Sequence, residues 1–245
     1  MERKVAIVTG GSRGIGAATA KRLGADGWAV AVNYRTNEAA AGETATAVEA
    51  AGGVALTVQG DMASQSDVKR LFSQVESAWG RLDGLVNNAG MIGPRGRFEE
   101  LKLDDMERVL AVNVTGYMLC ALAAVKRMST KHGGNGGVIV NVSSGAAHRG
   151  GANNNILYAV SKGAVNTLTI GLSQEVACEG IRVNAVSPGL TRTDMPSPDM
   201  LAQGPTIPIG RVGEANEIAA GIVWLMTDAA AYVAGANLRI AGGRP

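Results

Sequence analysis

A tyrosine and a lysine, Tyr158 and Lys162, lie four residues apart. If the segment is helical, a turn of 3.6 residues places both side chains on one face. A free phenol has a pKa of about 10 and is a poor base at pH 7, but a neighbouring cation favours the phenolate. The pair could therefore exchange a proton with an alcohol or carbonyl oxygen near neutral pH. The alternative is an ordinary pair on a helix surface.

Two hydroxyl side chains, Ser143 and Ser144, follow the strand-like segment Gly137–Val142. At the end of such a strand, the Ser144 hydroxyl could hydrogen-bond a reacting oxygen and polarise it. A serine that caps a loop is the alternative. No Ser-His-Asp hydrolase is indicated, because the only histidines are His132 and His148, and the few His and Cys residues show no metal-ligand spacing.

A glycine-rich stretch from Thr9 to Gly16 lies between the first strand-like segment and the first helical one. Glycines let the backbone turn sharply and let a pyrophosphate approach the helix N-terminus, where free N–H groups and the dipole stabilise negative charge. The spacing is Gly-x-x-x-Gly-x-Gly, which differs from the commoner Gly-x-Gly-x-x-Gly. It predicts a dinucleotide site, with a purely structural turn as the alternative. The residues assigned to this contact are Gly10, Ser12, Arg13, Gly14, Ile15 and Gly16.

The end of the second predicted strand, Asn33-Tyr34-Arg35, lacks the acidic residue that holds the ribose 2′-hydroxyl of NAD. Arg35 could instead pair with a 2′-phosphate, and Arg13 could reach the same group, because a guanidinium donates bidentately to phosphate. Two solvated surface arginines are the alternative. The sequence therefore favours NADP(H) over NAD(H).

Strand-like and helical segments alternate along the chain, which predicts one α/β domain over residues 1–245. Its core is a Rossmann-type doubly wound parallel sheet of about seven strands with helices on both faces. The predicted strands are Val5–Val8, Trp28–Asn33, Val54–Gln59, Leu82–Val86, Gly137–Val142, Ile181–Val186 and Asn237–Ile240. The predicted helices are Ala17–Ala25, Glu38–Ala51, Gln65–Trp79, Leu103–Lys131, Tyr158–Cys178 and Ala215–Thr227.

The one irregular segment is Leu190–Arg211, which contains four of the seven prolines. It follows the sixth predicted strand and so begins at the carboxyl edge of the sheet, where ligands bind in such folds. A long proline-rich loop in a compact domain is usually a lid or a binding loop. We therefore expect residues 190–211 to form a substrate lid.

The composition excludes several classes of protein. Of the 245 residues, 46% are apolar and 18% charged, which is enough for a sizeable core and excludes a disordered chain. A net charge of +2 gives no electrostatic reason to expect nucleic acid. The longest apolar run, Tyr117–Val125, has nine residues, fewer than the roughly 20 of a membrane span. With no secretory signal ahead of the first strand, we expect a soluble cytoplasmic protein with Cys120 and Cys178 as buried free thiols.

Taken together, these motifs resemble the short-chain dehydrogenase/reductase family over essentially the whole chain. They occur in the family's order, which makes the set far more specific than any one of them. Within the family, the chain most resembles glucose 1-dehydrogenase-like sugar dehydrogenases and 3-oxoacyl carrier-protein reductases. The motifs are the glycine loop, Asn87-Asn88-Ala89-Gly90 after the fourth strand, Asn113 in the long helix, Ser144, the Tyr158/Lys162 pair, and Pro188-Gly189 after the sixth strand.

The resemblance implies a role for each matching residue. Tyr158 would be the general acid/base, and Lys162 would lower its pKa and hold the nicotinamide ribose. Ser144 would orient the substrate oxygen, and Asn113 would hold a water in a proton relay that reaches Lys162. The implied cofactor contacts are Asp61 to adenine, Asn88 near the adenine-side ribose, and Thr191 to the nicotinamide amide, with Asn33, Tyr34, Met62, Ala89, Gly90, Pro188 and Gly189 beside them.

The same resemblance implies an NADP(H)-dependent oxidoreductase acting on a carbonyl or secondary alcohol, such as a sugar, a polyol or a small ketone. It also implies a homotetramer in which the long helices around Asn113 and Tyr158 pack against partner copies. The chain departs from the family pattern at two places. Ser144 and Tyr158 are 14 residues apart, one more than in many members, and Ala241 stands where an Asp is usual.

Two other functions remain open. A 3-oxoacyl carrier-protein reductase should carry a basic patch for its acidic substrate, which Arg95, Arg97 and Arg149 could form. A non-catalytic NADP-sensing protein would keep the fold without turnover. The presence of Asn113, Ser144, Tyr158 and Lys162 together favours the enzyme, because a pure binder needs no acid/base groups.

Overall fold

The computed structural model describes residues 3–244 and contains a parallel seven-stranded sheet. The strands alternate with helices along the chain, so each parallel crossover passes over one face of the sheet. The sheet order is β3-β2-β1-β4-β5-β6-β9. Its strands are β1 Val5–Val8, β2 Ala29–Tyr34, β3 Val54–Gln59, β4 Gly84–Asn87, β5 Gly137–Val142, β6 Ile181–Pro188 and β9 Asn237–Ile240. The predicted doubly wound α/β fold is confirmed.

The sheet is covered on both faces. The helices are α1 Gly14–Ala25, α2 Glu38–Ala50, α3 Gln65–Trp79, α4 Leu103–Leu110, α5 Gly116–Met128, α6 Ala146–Arg149, α7 Ile156–Val176, α8 Pro198–Leu201 and α9 Ala215–Met226. Successive strand residues point to opposite faces. Thus Val8 and Val140 lie in one buried apolar cluster with residues of α1 and α9. Ile7 and Ile139 lie in the other, with residues of α3 and α5.

The prediction of one continuous helix over Leu103–Lys131 is wrong. It is divided into α4 and α5 by a π-helical turn over Ala111–Thr115, and α5 ends at Met128. In this turn the N–H of Gly116 donates to the carbonyl of Ala111, five residues earlier. Such turns are rare and are often found at functional sites.

The helical stretch Leu103–Met128 has 26 residues and a mean hydropathy of 1.7 over its most apolar window. By length and composition alone it would suffice to cross a membrane. In the fold it is a core helix, since Tyr117, Cys120 and Ala124 are buried and α5 packs beside α3. Burial of this face therefore accounts for part of its apolar character.

Several boundaries differ from the prediction for local reasons. β4 begins at Gly84 rather than Leu82, because Asp83 is engaged by Arg81 and by the N–H of Val5 at 2.8 Å. α7 ends at Val176, and Cys178 lies in the following 3-10 turn. Cys120 is buried as predicted, but Cys178 is exposed, so its predicted burial is wrong.

The predicted irregular segment Leu190–Arg211 is partly ordered. Its first residues form a short strand, β7 Thr191–Arg192, paired in parallel with β8 Gly213–Glu214. α8 then follows, with Pro198 in its first turn. Asp194 lies 3.6 Å from Arg13 in the glycine loop, so this segment reaches across the carboxyl edge of the sheet.

Candidate active site

A cleft of about 650 Å³ lies at the carboxyl ends of β1, β2 and β4. This is the edge at which doubly wound sheets bind ligands. Of the predicted cofactor residues, it is lined by Gly10, Ser12, Arg13, Gly14, Ile15, Asn33, Tyr34, Arg35, Asp61, Met62, Asn88, Ala89 and Gly90. Gly16, Tyr158, Lys162, Pro188, Gly189 and Thr191 lie outside this lining.

The glycine loop has the geometry of an anion cradle. Gly10 and Gly14 have φ of 60° and 55°, a left-handed conformation that glycine adopts without strain. A Cβ at Gly16 would overlap the carbonyl oxygen of Gly10. α1 begins with no side-chain cap and no acidic residue in its first turn. Its free N–H groups and dipole are therefore available for a phosphate.

Two asparagines hold this loop in place. The Oδ1 of Asn33 accepts from the N–H of Gly10 at 3.1 Å, while its Nδ2 donates to the carbonyls of Val58 and Gly60. The Nδ2 of Asn88 donates to the carbonyls of Thr9 and Gly10. Since Asn33 is buried and fully engaged, its side chain supports the loop rather than facing the cleft.

At one end of the cleft, Asp61 has an ion-pair partner and Arg35 has none among the described residues. Arg35 is exposed, and its guanidinium forms no hydrogen bond or ion pair within residues 3–244. Asp61 pairs with Arg108 at 2.6 Å. Burial alone would raise the pKa of Asp61, but hydrogen bonds from Arg108 and Ala63, with the charges of Arg108 and Arg35, leave that pKa below its ordinary value. Arg35 is thus the cation open to an anionic ligand.

Tyr158, Ser144 and Lys162 lie together beyond the other end of the cleft. Tyr158 is in the first turn of α7 and is hydrogen-bonded by the side chain of Ser144. The Nζ of Lys162 lies 5.8 Å from the centroid of the Tyr158 ring. A Cβ at Gly90, on the cleft wall, would come 3.6 Å from this Nζ. The predicted proton-transfer pair therefore adjoins the predicted nucleotide cleft.

The lowered Tyr158 pKa that the resemblance implies is not found in this geometry. Burial raises the pKa of Tyr158, and the hydrogen bond with Ser144 offsets this only in part. Burial also lowers the pKa of Lys162 to about 7. The lysine is 3% exposed, and its Nζ donates to the carbonyl of Val142 at 2.8 Å and to the hydroxyl of Tyr117 at 3.0 Å. The ammonium group is thus directed at these acceptors rather than at the Tyr158 hydroxyl.

The two serines have different roles. The Oγ of Ser143 is buried. It lies 2.6 Å from Asn166 Oδ1, the shorter of its two hydrogen-bond contacts, and 3.2 Å from the Lys162 carbonyl. The hydroxyl of Ser144 is partly exposed, next to Tyr158. Only Ser144 can therefore reach a substrate oxygen beside the tyrosine.

Asn113 lies in the π-helical turn and is fully buried. Its Nδ2 donates to the carbonyl of Met91 at 2.8 Å and to Ser161 Oγ at 3.0 Å, and its Oδ1 accepts from the N–H of Met91. Asn113 thereby ties the loop after β4 to α7. A relay water at this position would need a backbone carbonyl of the turn, because these bonds occupy the side-chain amide.

The remaining predicted residues lie at the end of β6. The Pro188 carbonyl accepts from the N–H of Gly145 at 3.0 Å, which fixes the loop that carries Ser144. Gly189 donates to the carbonyl of Ile240, and Thr191 is buried with its hydroxyl on the Gly189 carbonyl. A Cβ at Gly189 would come 2.7 Å from the Cα of Ala241. Pro188 therefore supports the loop of Ser144, and none of these three residues lines the cleft.

The three arginines considered as a basic patch have separate surroundings. Arg97 is ion-paired with Glu99, and Arg95 lies 3.4 Å from Ser197 Oγ. Burial, together with the charges of Arg244 and Arg239, lowers the pKa of Arg149. The charge of Arg97 is therefore balanced by that of Glu99.

Sequence analysis did not identify Tyr117 or Thr9 as site residues. Thr9 Oγ1 accepts from the N–H groups of Asn88 and Ala89, which joins the loops after β1 and β4. Tyr117 was grouped with an apolar run. Its position four residues after Asn113, on the same helical face, was the one available signal.

Comparison with known proteins gives matches over nearly the whole chain. Residues 10–244 match a family model described as enoyl-(acyl carrier protein) reductase. The chain is 46% identical to the uncharacterized oxidoreductase YgfF of Escherichia coli strain K12, covering 98% of this chain and 99% of the relative. It is 37% identical to glucose 1-dehydrogenase 2 of Bacillus subtilis strain 168, covering 98% and 94%.

Among solved structures, a short-chain dehydrogenase from Burkholderia cenocepacia J2315 in complex with NADP superposes with a TM-score of 0.92. The two chains are 38% identical, over 99% of this chain and 98% of the other. Both fold and sequence are therefore shared along the full length of that protein.

Proposed function

The chain belongs to the short-chain dehydrogenase/reductase family, and from this premise we propose that it is an NADP(H)-dependent oxidoreductase. Its substrate is a small carbonyl compound or secondary alcohol, such as a sugar, a polyol or a ketone. The observation that carries the proposal is the placement of Tyr158, Ser144 and Lys162 beside a cleft with an anion cradle.

The cleft fits a dinucleotide phosphate. The left-handed glycines and the uncapped start of α1 suit a pyrophosphate. Arg35, without a carboxylate partner in the described chain, suits a 2′-phosphate, and Arg13 can add to it on release from Asp194. Arg13 and Arg35 would hold the phosphate that distinguishes NADP from NAD. Asp61, held by Arg108, and Asn88 would lie along the adenosine half.

The bound nicotinamide would supply or accept the hydride. Tyr158 donates a proton to the substrate oxygen during reduction and accepts it during oxidation. Its raised pKa suits the acid form, in which the phenol polarises a carbonyl. Ser144 donates a second hydrogen bond to that oxygen. Lys162, when protonated, favours the phenolate during oxidation through its positive charge.

We also propose an oligomeric assembly and a cellular location for the protein. Met118, Leu122, Val160 and Ile170 on α5 and α7 are each more than half exposed. These exposed apolar side chains would be buried against partner copies in the proposed homotetramer. Two free cysteines support a reducing, cytoplasmic location. The segment 190–211 would act as the substrate lid of this single domain.

The test is nicotinamide absorbance at 340 nm with NADPH and NADH. The substrate panel contains sugars, polyols, small ketones, diketones, quinones and 3-oxoacyl thioesters. Tyr158→Phe is the inactive variant, and Tyr232→Phe is its matched control because Tyr232 is fully exposed. We expect turnover that disappears in Tyr158→Phe and persists in Tyr232→Phe.

Other results identify the alternatives. Turnover confined to the 3-oxoacyl thioesters would make the protein a 3-oxoacyl carrier-protein reductase. NADPH binding without turnover of any panel member would favour a sensing protein. Undiminished turnover in Tyr158→Phe would contradict the proposed mechanism.

A further inference from the structure

The hydroxyl of Tyr117 lies between Lys162 and the end of β5. It accepts a hydrogen bond from the Nζ of Lys162 at 3.0 Å and donates one to the carbonyl of Val142 at 3.0 Å. The same Nζ donates to the Val142 carbonyl at 2.8 Å. Three polar groups from α5, α7 and β5 thus form a closed triangle under the site.

The orientation of the Tyr117 hydroxyl is fixed by this triangle. Its proton is used by the Val142 carbonyl, so its oxygen presents lone pairs to the lysine. Tyr117 is 2% exposed and is among the largest fully buried side chains. Burial also raises its pKa, so it is a neutral phenol near pH 7. Tyr117 therefore acts toward Lys162 as an acceptor without charge.

The surroundings of Lys162 contain few other groups that could hold its charge. Its Nζ lies 4.7 Å from the Tyr117 ring centroid, on α5, and 5.8 Å from that of Tyr158, on its own helix. Cys120, one turn beyond Tyr117, is buried with a pKa of about 12 and stays neutral. Within residues 3–244, no carboxylate pairs with this lysine. The charged form therefore depends on the two oxygen acceptors.

We propose that Tyr117 is a positioning residue, which orients the ammonium group of Lys162 toward the cleft wall at Gly90 and stabilises its charge. An ammonium group has three N–H bonds. Tyr117 and Val142 engage two of them from below, which leaves the third for a ligand on the side of Gly90. The catalytic consequence rests on the proposed function, whereas the charge state of Lys162 does not.

The first test measures the Lys162 pKa directly. Lysine is labelled with 13C at Cε, the Lys162 signal is assigned with Lys162→Met, and its chemical shift is followed against pH. In Tyr117→Phe one acceptor of the ammonium is lost, so we expect the pKa of Lys162 to fall by about one unit. Tyr232→Phe, which removes an exposed phenol hydroxyl, should leave it unchanged.

A second variant tests the proposal in case Tyr117→Phe fails to fold. 3-Fluorotyrosine at position 117 keeps the hydroxyl in place but makes its oxygen a weaker acceptor. We expect a smaller fall of the Lys162 pKa in the same direction. A Lys162 pKa unchanged in both variants, with native melting temperatures, would overturn the proposal.

The second test uses the pH profile of alcohol oxidation. A less cationic Lys162 favours the Tyr158 phenolate less, so the rising limb of kcat should move to higher pH in Tyr117→Phe. A purely structural role would lower the amount of active enzyme without moving this limb. If no substrate is turned over, the proposed function fails, while the lysine titration still decides the role of Tyr117.

Discussion

The side-chain carbonyl of Asn33 accepts a hydrogen bond from the backbone N–H of Gly10 at 3.1 Å, which couples the end of β2 to the start of the glycine loop. The amide of the same side chain donates to two carbonyls, of Val58 and Gly60. Asn33 therefore joins three neighbouring segments at the carboxyl edge of the sheet. Both polar atoms of its side chain are engaged, and their partners are backbone groups.

Asn33→Asp should destabilise the protein. The change replaces a donor by an oxygen that faces the carbonyls of Val58 and Gly60, at a buried position. We expect a loss of about 1–3 kcal/mol in the free energy of unfolding, measured by urea denaturation. Asn37→Asp is the matched control, because Asn37 is an exposed N-cap of α2 and aspartate caps equally well. Equal stability of the two variants would contradict the role assigned to Asn33.

Arg35→Ala should weaken NADPH binding far more than NADH binding. Loss of a charge-assisted hydrogen bond of about 1.5–3 kcal/mol corresponds to roughly a 10- to 100-fold rise in Kd for NADPH. The measurement is calorimetric titration with both dinucleotides. Arg22→Ala, an exposed change in the last turn of α1, should alter neither affinity. A similar loss for NADH and NADPH would show that Arg35 does not contact a 2′-phosphate.

Ser144→Ala and Ser143→Ala should affect different quantities. Ser144 faces Tyr158, so its loss should lower kcat by about 10²-fold with little change in stability. Ser143 bonds Asn166 and the Lys162 carbonyl, so its loss should chiefly lower the free energy of unfolding, by about 1–3 kcal/mol. Steady-state kinetics and urea denaturation of both variants check this. The assignment fails if Ser143→Ala has the larger effect on kcat.

The stability of the protein should rise with pH through Lys162. Its pKa is about 7 in the folded chain and 10.5 as an ordinary lysine, so between these values the unfolded chain binds more protons. Stability attributable to this residue therefore increases above pH 7, as the buried charge is lost. Relative to Lys162→Met, we expect the free energy of unfolding of the wild type to gain about 2 kcal/mol between pH 7 and pH 9.

Urea denaturation at several pH values gives this difference. Above pH 9 the stability of both proteins should fall, because folding raises the pKa of the Cys120 thiol from 9.0 to about 12. The difference from Lys162→Met cancels groups common to both proteins. A pH-independent difference would show that Lys162 keeps its charge on folding.

The sheet and the glycine loop were predictable because their signals are local. β-branched runs predict strands, and glycine positions predict tight turns. The four-residue spacing places Tyr158 and Lys162 on one helix face. The π-helical turn at Ala111–Thr115 was not predictable, since an apolar periodicity does not distinguish it from a continuous α-helix. The sign of the Tyr158 pKa change depends on burial and on the hydrogen bond with Ser144, which appear only once the chain is packed.

Tyr117 was missed for a related reason. In the sequence it begins an apolar run, and a buried aromatic residue needs no further explanation. Its function depends on a contact with a residue 45 positions away. Asn33 and Pro188 stay predictions as cofactor contacts, and in the structure their polar groups bond to neighbouring loops.

The π-helical turn places one residue more between α4 and α5 than a regular helix would. Each residue of an α-helix turns the chain by about 100°, but the wider turn absorbs the additional residue. Deleting one residue within Ala111–Thr115 would restore regular helical spacing and remove the wider turn from which Asn113 reaches both Met91 and Ser161. Evolution of this segment is therefore constrained in length as well as composition, so that substitutions are tolerated where a single deletion is not.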